Sequence, residues 1–287
     1  MRYEAPRAIE EAVALLADAE GDAHVLAGGT DLLVLLRAGL VTPALVVDIK
    51  HIEEMCEIAQ ADGGFRIGAA VTGAEFGEHA ELKRAWPGVV EAMELVGSTQ
   101  IQGRATAGGN LCNASPAADC VPAMIAAGAT CTIAGPAGRR EMAVEDIATG
   151  PGETVLGKGE IVVDFLLPPR PPRSADAYLR LIPRTEMDIA VVGAGVNLTL
   201  DDDGLCKDAR VALCAIAPRV LRVAEVADAL IGSAIDDAAL ELAAAAARAA
   251  CQPIDDKRGT VEYRTKIAGV LVRRAALIAK QRAGNGS

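Results

Sequence analysis

Aromatic residues are scarce in this chain of 287 residues, which has one Trp, three Tyr and three Phe. So few rings leave little surface for stacking on nucleic-acid bases, and any planar ligand must rest mainly on backbone and aliphatic groups. Basic residues are also in deficit, because 28 Lys and Arg stand against 39 Asp and Glu and give a net charge of −11. This balance argues against nucleic acid and against an anionic membrane surface as partners, since both need a basic footprint.

Long apolar runs and paired cysteines are missing as well. The longest uncharged run, residues 120–138, contains Pro122 and Gly128 and so cannot form one continuous spanning helix, which argues against membrane insertion. Seven charged residues among the first twenty leave no room for the apolar core of a signal peptide. The seven cysteines form no C-x-x-C pair and have no His at ligand spacing, so the sequence predicts a cytoplasmic protein with reduced thiols and no metal site.

Apolar residues make up 51% of the chain, and near its start they are arranged as alternating strands and helices. Residues 2–4, 24–27 and 45–49 predict strands, and residues 8–17 and 31–38 predict the helices between them. The first 54 residues therefore predict a small β-α-β-α-β unit.

From residue 55 the pattern changes. The turn signal Asp62-Gly63-Gly64 predicts a hairpin between strands 55–59 and 65–69. Further elements are predicted as helices at 74–79 and 88–96, short helical stretches within 101–138, and strands at 130–134 and 160–166.

The Pro-rich segment 168–172 is the clearest linker in the chain. After it the sequence predicts three strands and then three helices, at 177–182, 189–200, 207–215, 224–231, 238–250 and 261–279. We therefore expect an α+β protein with two domains. They are residues 1–172, with subdomains of about 1–54 and 55–172, and residues 173–287, in which a sheet is backed by helices.

The segment Ala27-Gly28-Gly29-Thr30-Asp31 lies between a predicted strand and a predicted helix. Glycine permits a positive φ and a close approach of the backbone to a ligand, and free N–H groups at a helix start favour an anion such as a diphosphate. A carboxylate aimed at a phosphate would repel it, so we expect Asp31 to cap its own helix or to meet a hydroxyl. The alternative is an ordinary tight turn between strand and helix.

A second glycine pair occurs in Thr106-Ala107-Gly108-Gly109-Asn110. Two such turns, one from each predicted subdomain, could clasp a diphosphate, because each would supply several donors without adding net positive charge. The alternative is a glycine-rich loop that only allows close packing.

Two other glycine motifs are weaker. The segment 152–159 nearly matches a phosphate-binding loop, but Gly159 stands where Ser or Thr should be, and its flanks predict a hairpin. Gly193-Ala194-Gly195 begins a dinucleotide fingerprint inside an apolar strand, where glycine more simply allows close packing. The sequence also shows no hydrolytic constellation, so we predict no catalytic side chain.

Three segments read together carry a family resemblance, namely 27-AGGTDLL-33, 101-IQGRATAGGNL-111 and 113-NASPAAD-119. They resemble the FAD-binding medium subunit of the molybdenum hydroxylases, a family that includes the medium subunit of aerobic carbon monoxide dehydrogenase and the flavin domain of xanthine dehydrogenase. The later segments 178-YLRLIPRTEMDIA-190 and 262-EYRTKIAGVLVRRA-275 look like the family's C-terminal domain, so the resemblance runs through almost the whole chain.

The resemblance implies a two-subdomain FAD-binding domain of the PCMH type, as in vanillyl-alcohol-oxidase-like flavoenzymes, followed by a small α+β domain. It also implies FAD as the cofactor. The first diphosphate loop would comprise Leu26, Ala27, Gly28, Gly29, Thr30, Asp31, Leu32 and Leu33, and the second Thr106, Gly108, Gly109 and Asn110. Asp119 would bind FAD further along, Val96 and Leu156 match positions that approach the flavin ring, and Arg180 stands where relatives often have Lys.

By the same resemblance the chain would be an electron-transfer subunit. A large partner subunit would hold molybdopterin, a small partner would carry two [2Fe–2S] clusters, and the assembly would be a dimer of heterotrimers. Electrons would pass from those clusters through FAD to an acceptor that the sequence leaves open among quinone, NAD⁺ and oxygen. Two alternatives stay open: a self-sufficient FAD-dependent reductase of the same fold, and a non-catalytic scaffold subunit.

Overall fold

The computed structural model describes residues 1–285, so the last two residues of the predicted C-terminal domain lie outside it. Strands β1–β14 of this part span Arg2–Glu4, Ala23–Leu26, Leu45–Asp48, Ile58–Ala61, Gly64–Gly68, Thr130–Gly135, Gly138–Ala143, Ala148–Gly150, Glu153–Thr154, Ile161–Leu167, Ser174–Leu181, Val192–Leu200, Cys206–Cys214 and Leu221–Arg222. Helices α1–α11 span Ile9–Ala17, Leu32–Arg37, Gly73–Glu78, Ala80–Ala85, Pro87–Glu94, Thr99–Gln102, Ala107–Cys112, Cys120–Ala127, Ala224–Leu230, Asp237–Ala249 and Val261–Asn285.

The first 54 residues form the predicted β-α-β-α-β unit. Its three strands are parallel in the order β1-β3-β2, and every residue of the central strand β3 is buried. Helix α1 buries Ile9, Ala12 and Leu16, which the 3.6-residue period places on one face. Helix α2 differs, because it has five apolar residues among six and none of them is fully buried.

The next part of the chain is built on a five-stranded antiparallel sheet in the order β4-β5-β10-β6-β7. The hairpin predicted at Asp62-Gly63-Gly64 joins β4 to β5. Strands β7 and β14 and helix α4 are not among the predicted elements. Strand β7 is an edge strand with the polar sequence GRREMA, so it lacks the apolar alternation that marks a half-buried strand. Helix α4 starts with a ring nitrogen of His79 accepting the Leu82 N–H at 3.1 Å, which is an unusual cap.

The C-terminal sheet, β11-β12-β13-β14, is antiparallel and has helices on both faces. One face packs on α9 and α11, against which α10 packs in turn, and buries Ala175 and Ala177 of β11. The other face packs on α5 and α8, and Tyr178 and Cys214 belong to that core. The prediction of a sheet backed by helices is therefore confirmed, but helices from before the linker cover its second face. The boundary at residue 172, between β10 and β11, stays a prediction.

The two weaker glycine motifs have structural uses. Gly152, with φ of +75°, lies in the turn between β8 and β9, as the hairpin prediction requires. A Cβ on Gly195 would lie 2.6 Å from the carbonyl oxygen of Pro122, so glycine lets β12 approach α8. Among residues 1–285 no helix is long and apolar enough to cross a membrane.

Candidate functional site

The first glycine turn leads from β2 to α2 and touches the chain just before the second turn. A Cβ built on Gly28 would overlap the carbonyl oxygen of Arg104 and lie 3.1 Å from the Cα of Ala105. Gly29 has φ of +77°, a left-handed conformation that strains any other residue. Glycine at these positions therefore allows the two predicted diphosphate loops to meet.

Backbone donors in the first turn are open. Within residues 1–285 the N–H groups of Gly29, Thr30 and Asp31 make no hydrogen bond to another part of the chain. The prediction that Asp31 caps its own helix is wrong, because its side chain makes no cap hydrogen bond to α2. That it meets a hydroxyl stays a prediction. Consecutive N–H groups in a turn with one left-handed residue are typical of an anion-binding concavity.

Lys50 supports this turn and is absent from the sequence predictions. Its Nζ donates to the carbonyl oxygen of Ala27 at 3.0 Å and to Oδ1 of Asp48 at 2.6 Å. Asp48 is buried and also accepts a hydrogen bond from the Tyr3 hydroxyl at 2.7 Å. Burial works to raise the pKa of Asp48, but the hydrogen bonds from Lys50 and Tyr3 outweigh it and hold the pKa below its usual value.

The second glycine turn is built into the core. Thr106 caps α7, since its Oγ1 accepts the Gly109 N–H at 3.0 Å. The Gly108 N–H donates to the carbonyl oxygen of Ala69 at 3.1 Å, and the Asn110 N–H donates to that of Thr106 at 3.0 Å. The backbone N–H groups of Gly108, Gly109 and Asn110, which we expected to be free for a diphosphate, are therefore already bonded within the chain. A Cβ on Gly108 would lie 2.5 Å from the oxygen of Ala69, so this glycine allows close backbone packing.

Asp119 and Arg180 come together although 61 positions separate them in sequence. Nη1 of Arg180 donates to Oδ2 of Asp119 at 2.7 Å, and the Tyr178 hydroxyl donates to Oδ1 at 3.1 Å. Burial raises the pKa of Asp119 to about 6, even though the charge of Arg180 and both hydrogen bonds act to lower it. Asn110 reaches the same place, because its Oδ1 accepts the Cys120 N–H at 3.2 Å.

Val96 and Leu156 are both half-buried and follow α5 and β9. In the part of the chain that the structure describes, no hydrogen bond joins either residue to a glycine turn. Two cavities in the described chain lie elsewhere, one between α1 and the β6–β7 hairpin and one between β13 and α9, and neither is lined by a predicted site residue.

Lys50 and Tyr178 are not among the predicted site residues, although the sequence around each contains a pattern that points to it. Lys50 comes two residues after Asp48, which ends a buried apolar strand. A buried carboxylate needs a charged or hydrogen-bonding partner, and Lys50 is near enough in sequence to be one. Tyr178 and Arg180 alternate with apolar residues in β11, so both side chains project from one face of the sheet. Polar groups on a buried sheet face need partners across the packing interface.

Comparison with known proteins gives concordant matches along the chain. Residues 1–170 match a family described as "FAD binding domain in molybdopterin dehydrogenase", and residues 177–279 match "CO dehydrogenase flavoprotein C-terminal domain". The carbon monoxide dehydrogenase medium chain of Afipia carboxidovorans is 36% identical over 99% of this chain and 98% of its own. The xanthine dehydrogenase FAD-binding subunit of Escherichia coli O157:H7 is 33% identical over 77% of this chain and 75% of its own.

A solved structure gives the same result. The structure described as reconstituted CO dehydrogenase from Oligotropha carboxidovorans contains a chain that superposes with a TM-score of 0.94. The two chains are 35% identical, and the match covers 98% of each. The predicted order of an FAD-binding domain followed by a small α+β domain is therefore confirmed.

Proposed function

The chain belongs to the FAD-binding subunits of the molybdenum hydroxylase family, and we propose that it passes electrons from iron–sulfur clusters of a partner subunit to an external acceptor. It is thus an oxidoreductase subunit with FAD as its cofactor. We assign residues 1–172 to the FAD-binding domain and residues 173–287 to the C-terminal domain. The acceptor is the only external substrate that this chain would meet.

The single observation that supports this proposal best is the contact between the two glycine turns. Gly28 leaves no room for a side chain against Arg104, and the N–H groups of Gly29, Thr30 and Asp31 have no acceptor in the described chain. Such an array suits a diphosphate, because it offers several donors with no bulky group in the way. The residues present therefore fit FAD.

We assign the diphosphate to the loop of residues 26–33 and to Thr106, Gly108, Gly109 and Asn110. We assign the flavin end to Val96, Leu156, Asp119 and Arg180, of which the last two form an ion pair of 2.7 Å. When bound, FAD supplies the redox chemistry, including one-electron exchange. The chain's own residues bind the cofactor, orient it and set the charge around it, and none is required as acid, base or nucleophile.

We further propose that the enzyme contains a molybdopterin subunit and a small [2Fe–2S] subunit and assembles as a dimer of heterotrimers. The relatives support a multi-subunit enzyme, since they are described as a medium chain and an FAD-binding subunit. All seven cysteines are free in the structure, which supports a reducing compartment such as the cytoplasm.

The test is reconstitution of the purified full chain, alone and with a molybdopterin subunit and a small [2Fe–2S] subunit. We expect stoichiometric flavin absorbance after incubation with FAD and removal of excess. Reduction of that flavin should require substrate and the partner subunits together. A colourless protein in both preparations would support a scaffold subunit, and turnover with NAD(P)H by the chain alone would support a self-sufficient reductase.

A further inference from the structure

Strand β11 presents three polar side chains to the helices before the linker. Asp176, Tyr178 and Arg180 alternate along the strand and therefore share the face that packs on α5 and α8. Asp176 accepts the Val89 N–H at 3.0 Å at the start of α5. Tyr178 and Arg180 both bind Asp119 at the start of α8. One strand of the C-terminal domain thus fixes the starts of two helices in the FAD-binding domain.

The Tyr178 hydroxyl occupies a place made for it by a glycine on the neighbouring strand. Tyr178 is 2% exposed, and a Cβ built on Gly193 would overlap its hydroxyl oxygen. The same Cβ would lie 2.6 Å from Sγ of Cys214. Any residue other than glycine at position 193 would therefore push the hydroxyl away from Asp119. This use of Gly193 has no part in the diphosphate site.

Four titratable side chains of the described chain surround the Asp119 carboxylate. The titratable side chains that face it are Tyr178 and Arg180 from β11, Cys214 from β13 and Cys120 from its own helix. Burial raises the pKa of Tyr178 well above its ordinary value and raises that of the Cys214 thiol to about 12. Both groups therefore stay neutral between pH 5 and pH 9. Asp119 is therefore the group whose charge changes in this range.

We propose that Tyr178 is a positioning residue of the cofactor site, whose hydroxyl binds one oxygen of the Asp119 carboxylate and so orients the other oxygen to hold Arg180 in place beside FAD. The inference rests on the proposed function, which places Asp119 and Arg180 at the flavin end. With the carboxylate ionised and bound on both oxygens, the guanidinium is fixed by a charged partner. Protonation of Asp119 weakens that bond and frees Arg180.

The experiment compares FAD dissociation constants from pH 5.5 to 8.5 for the full chain co-purified with its partners. Wild-type affinity should fall as the pH drops through about 6, where Asp119 takes up a proton. Tyr178→Phe keeps the ring but removes a donor to the carboxylate, so the fall should begin about one pH unit higher. Gly193→Ala keeps the hydroxyl but displaces it, and should move the midpoint in the same direction.

Tyr263→Phe is the matched control, because it makes the same substitution at a tyrosine that is 45% exposed. It should leave the pH midpoint unchanged. Asp119→Asn should give an FAD affinity without this pH dependence, with or without Tyr178→Phe. A folded Tyr178→Phe variant with the wild-type midpoint would overturn the inference while leaving the proposed function standing. Wild-type protein that bound no FAD at any pH would overturn both.

Discussion

The two glycine turns are alike in sequence and different in construction. The first follows a strand of a three-stranded sheet and leads into α2, a helix without one fully buried residue. The second starts α7, in which Ala107, Gly108 and Leu111 are buried. The N–H groups of Gly29, Thr30 and Asp31 in the first turn have no acceptor in the described chain, whereas those of Gly108, Gly109 and Asn110 in the second are all bonded within it.

This difference indicates that the two turns would have different roles in binding a diphosphate. The first turn offers open donors on a lightly packed element, so it can adapt to an anion when one arrives. The second turn is packed into the core, and its glycines leave space because they have no side chains. A diphosphate between the two turns would receive hydrogen bonds from the first turn and would fit against the backbone of the second.

The largest effect is expected from Gly28→Ala, which breaks the contact between the turns. The new methyl group would overlap the carbonyl oxygen of Arg104, and backbone cannot move as cheaply as a flexible side chain. We expect FAD affinity to fall about ten- to a hundredfold, as measured by titration with flavin absorbance. Gly103→Ala is the control, since a Cβ there has its nearest neighbour at 3.7 Å. Equal affinity in the two variants would show that the contact has no role in binding.

A smaller effect is expected on the stability of the FAD-free chain, where substitutions in the two turns should have different costs. Thr106→Val removes the hydroxyl that caps α7 and should lower the free energy of unfolding by about 1 kcal/mol. Asp31→Ala removes a side chain that makes no cap hydrogen bond and should change it by less than about 0.5 kcal/mol. Urea unfolding of the FAD-free chain measures both. If Asp31→Ala cost as much as Thr106→Val, the two turns would be equally dependent on their caps.

The smallest effect concerns Lys50, and it depends on pH. The pKa of Asp48 lies below its ordinary value in the folded chain, so its ionised form stabilises the fold above the pKa of the unfolded state, about 4. That stabilisation is lost as the pH falls through the folded pKa. Lys50→Met should therefore cost about 1 kcal/mol or less at pH 7, and the cost should shrink below pH 4.

Thermal unfolding of wild type and Lys50→Met between pH 3 and pH 7 gives this difference. Lys83→Met is the control, because the Lys83–Glu94 pair is exposed on both sides. A cost at pH 7 that persisted unchanged at pH 3 would mean that Lys50 acts through Ala27 and not through Asp48.

Much of the fold can be predicted from the sequence, and the reasons are local. The β-α-β-α-β unit shows alternating periods, and the hairpin at Asp62-Gly63-Gly64 uses a strong turn signal. Strand β7 could not be predicted, because a polar edge strand is defined by its partner and not by its own pattern. The last helix runs on to Asn285, beyond the predicted end at 279, since Ala283 is still buried against the sheet layer.

The site divides in the same way. Both glycine turns could be predicted because glycine pairs between elements mark close approaches. The contact between Gly193 and the Tyr178 hydroxyl could not, because it joins two strands that only the folded sheet brings together. That the Gly108 N–H is already bonded could not be predicted either, since its acceptor depends on where Ala69 lies.

Because Tyr178 and Arg180 lie in β11, they are synthesised after Asp119, to which both bind. Asp119 leaves the ribosome about sixty residues before the two side chains that bind its carboxylate, as their sequence separations of 59 and 61 show. At about 5–20 residues per second, this interval lasts several seconds. During it residues 1–119, which include both glycine turns, can collapse while Asp119 has no partner from β11. The Asp119–Arg180 pair, which we propose as part of the cofactor site, is therefore completed last, when β11 has been made.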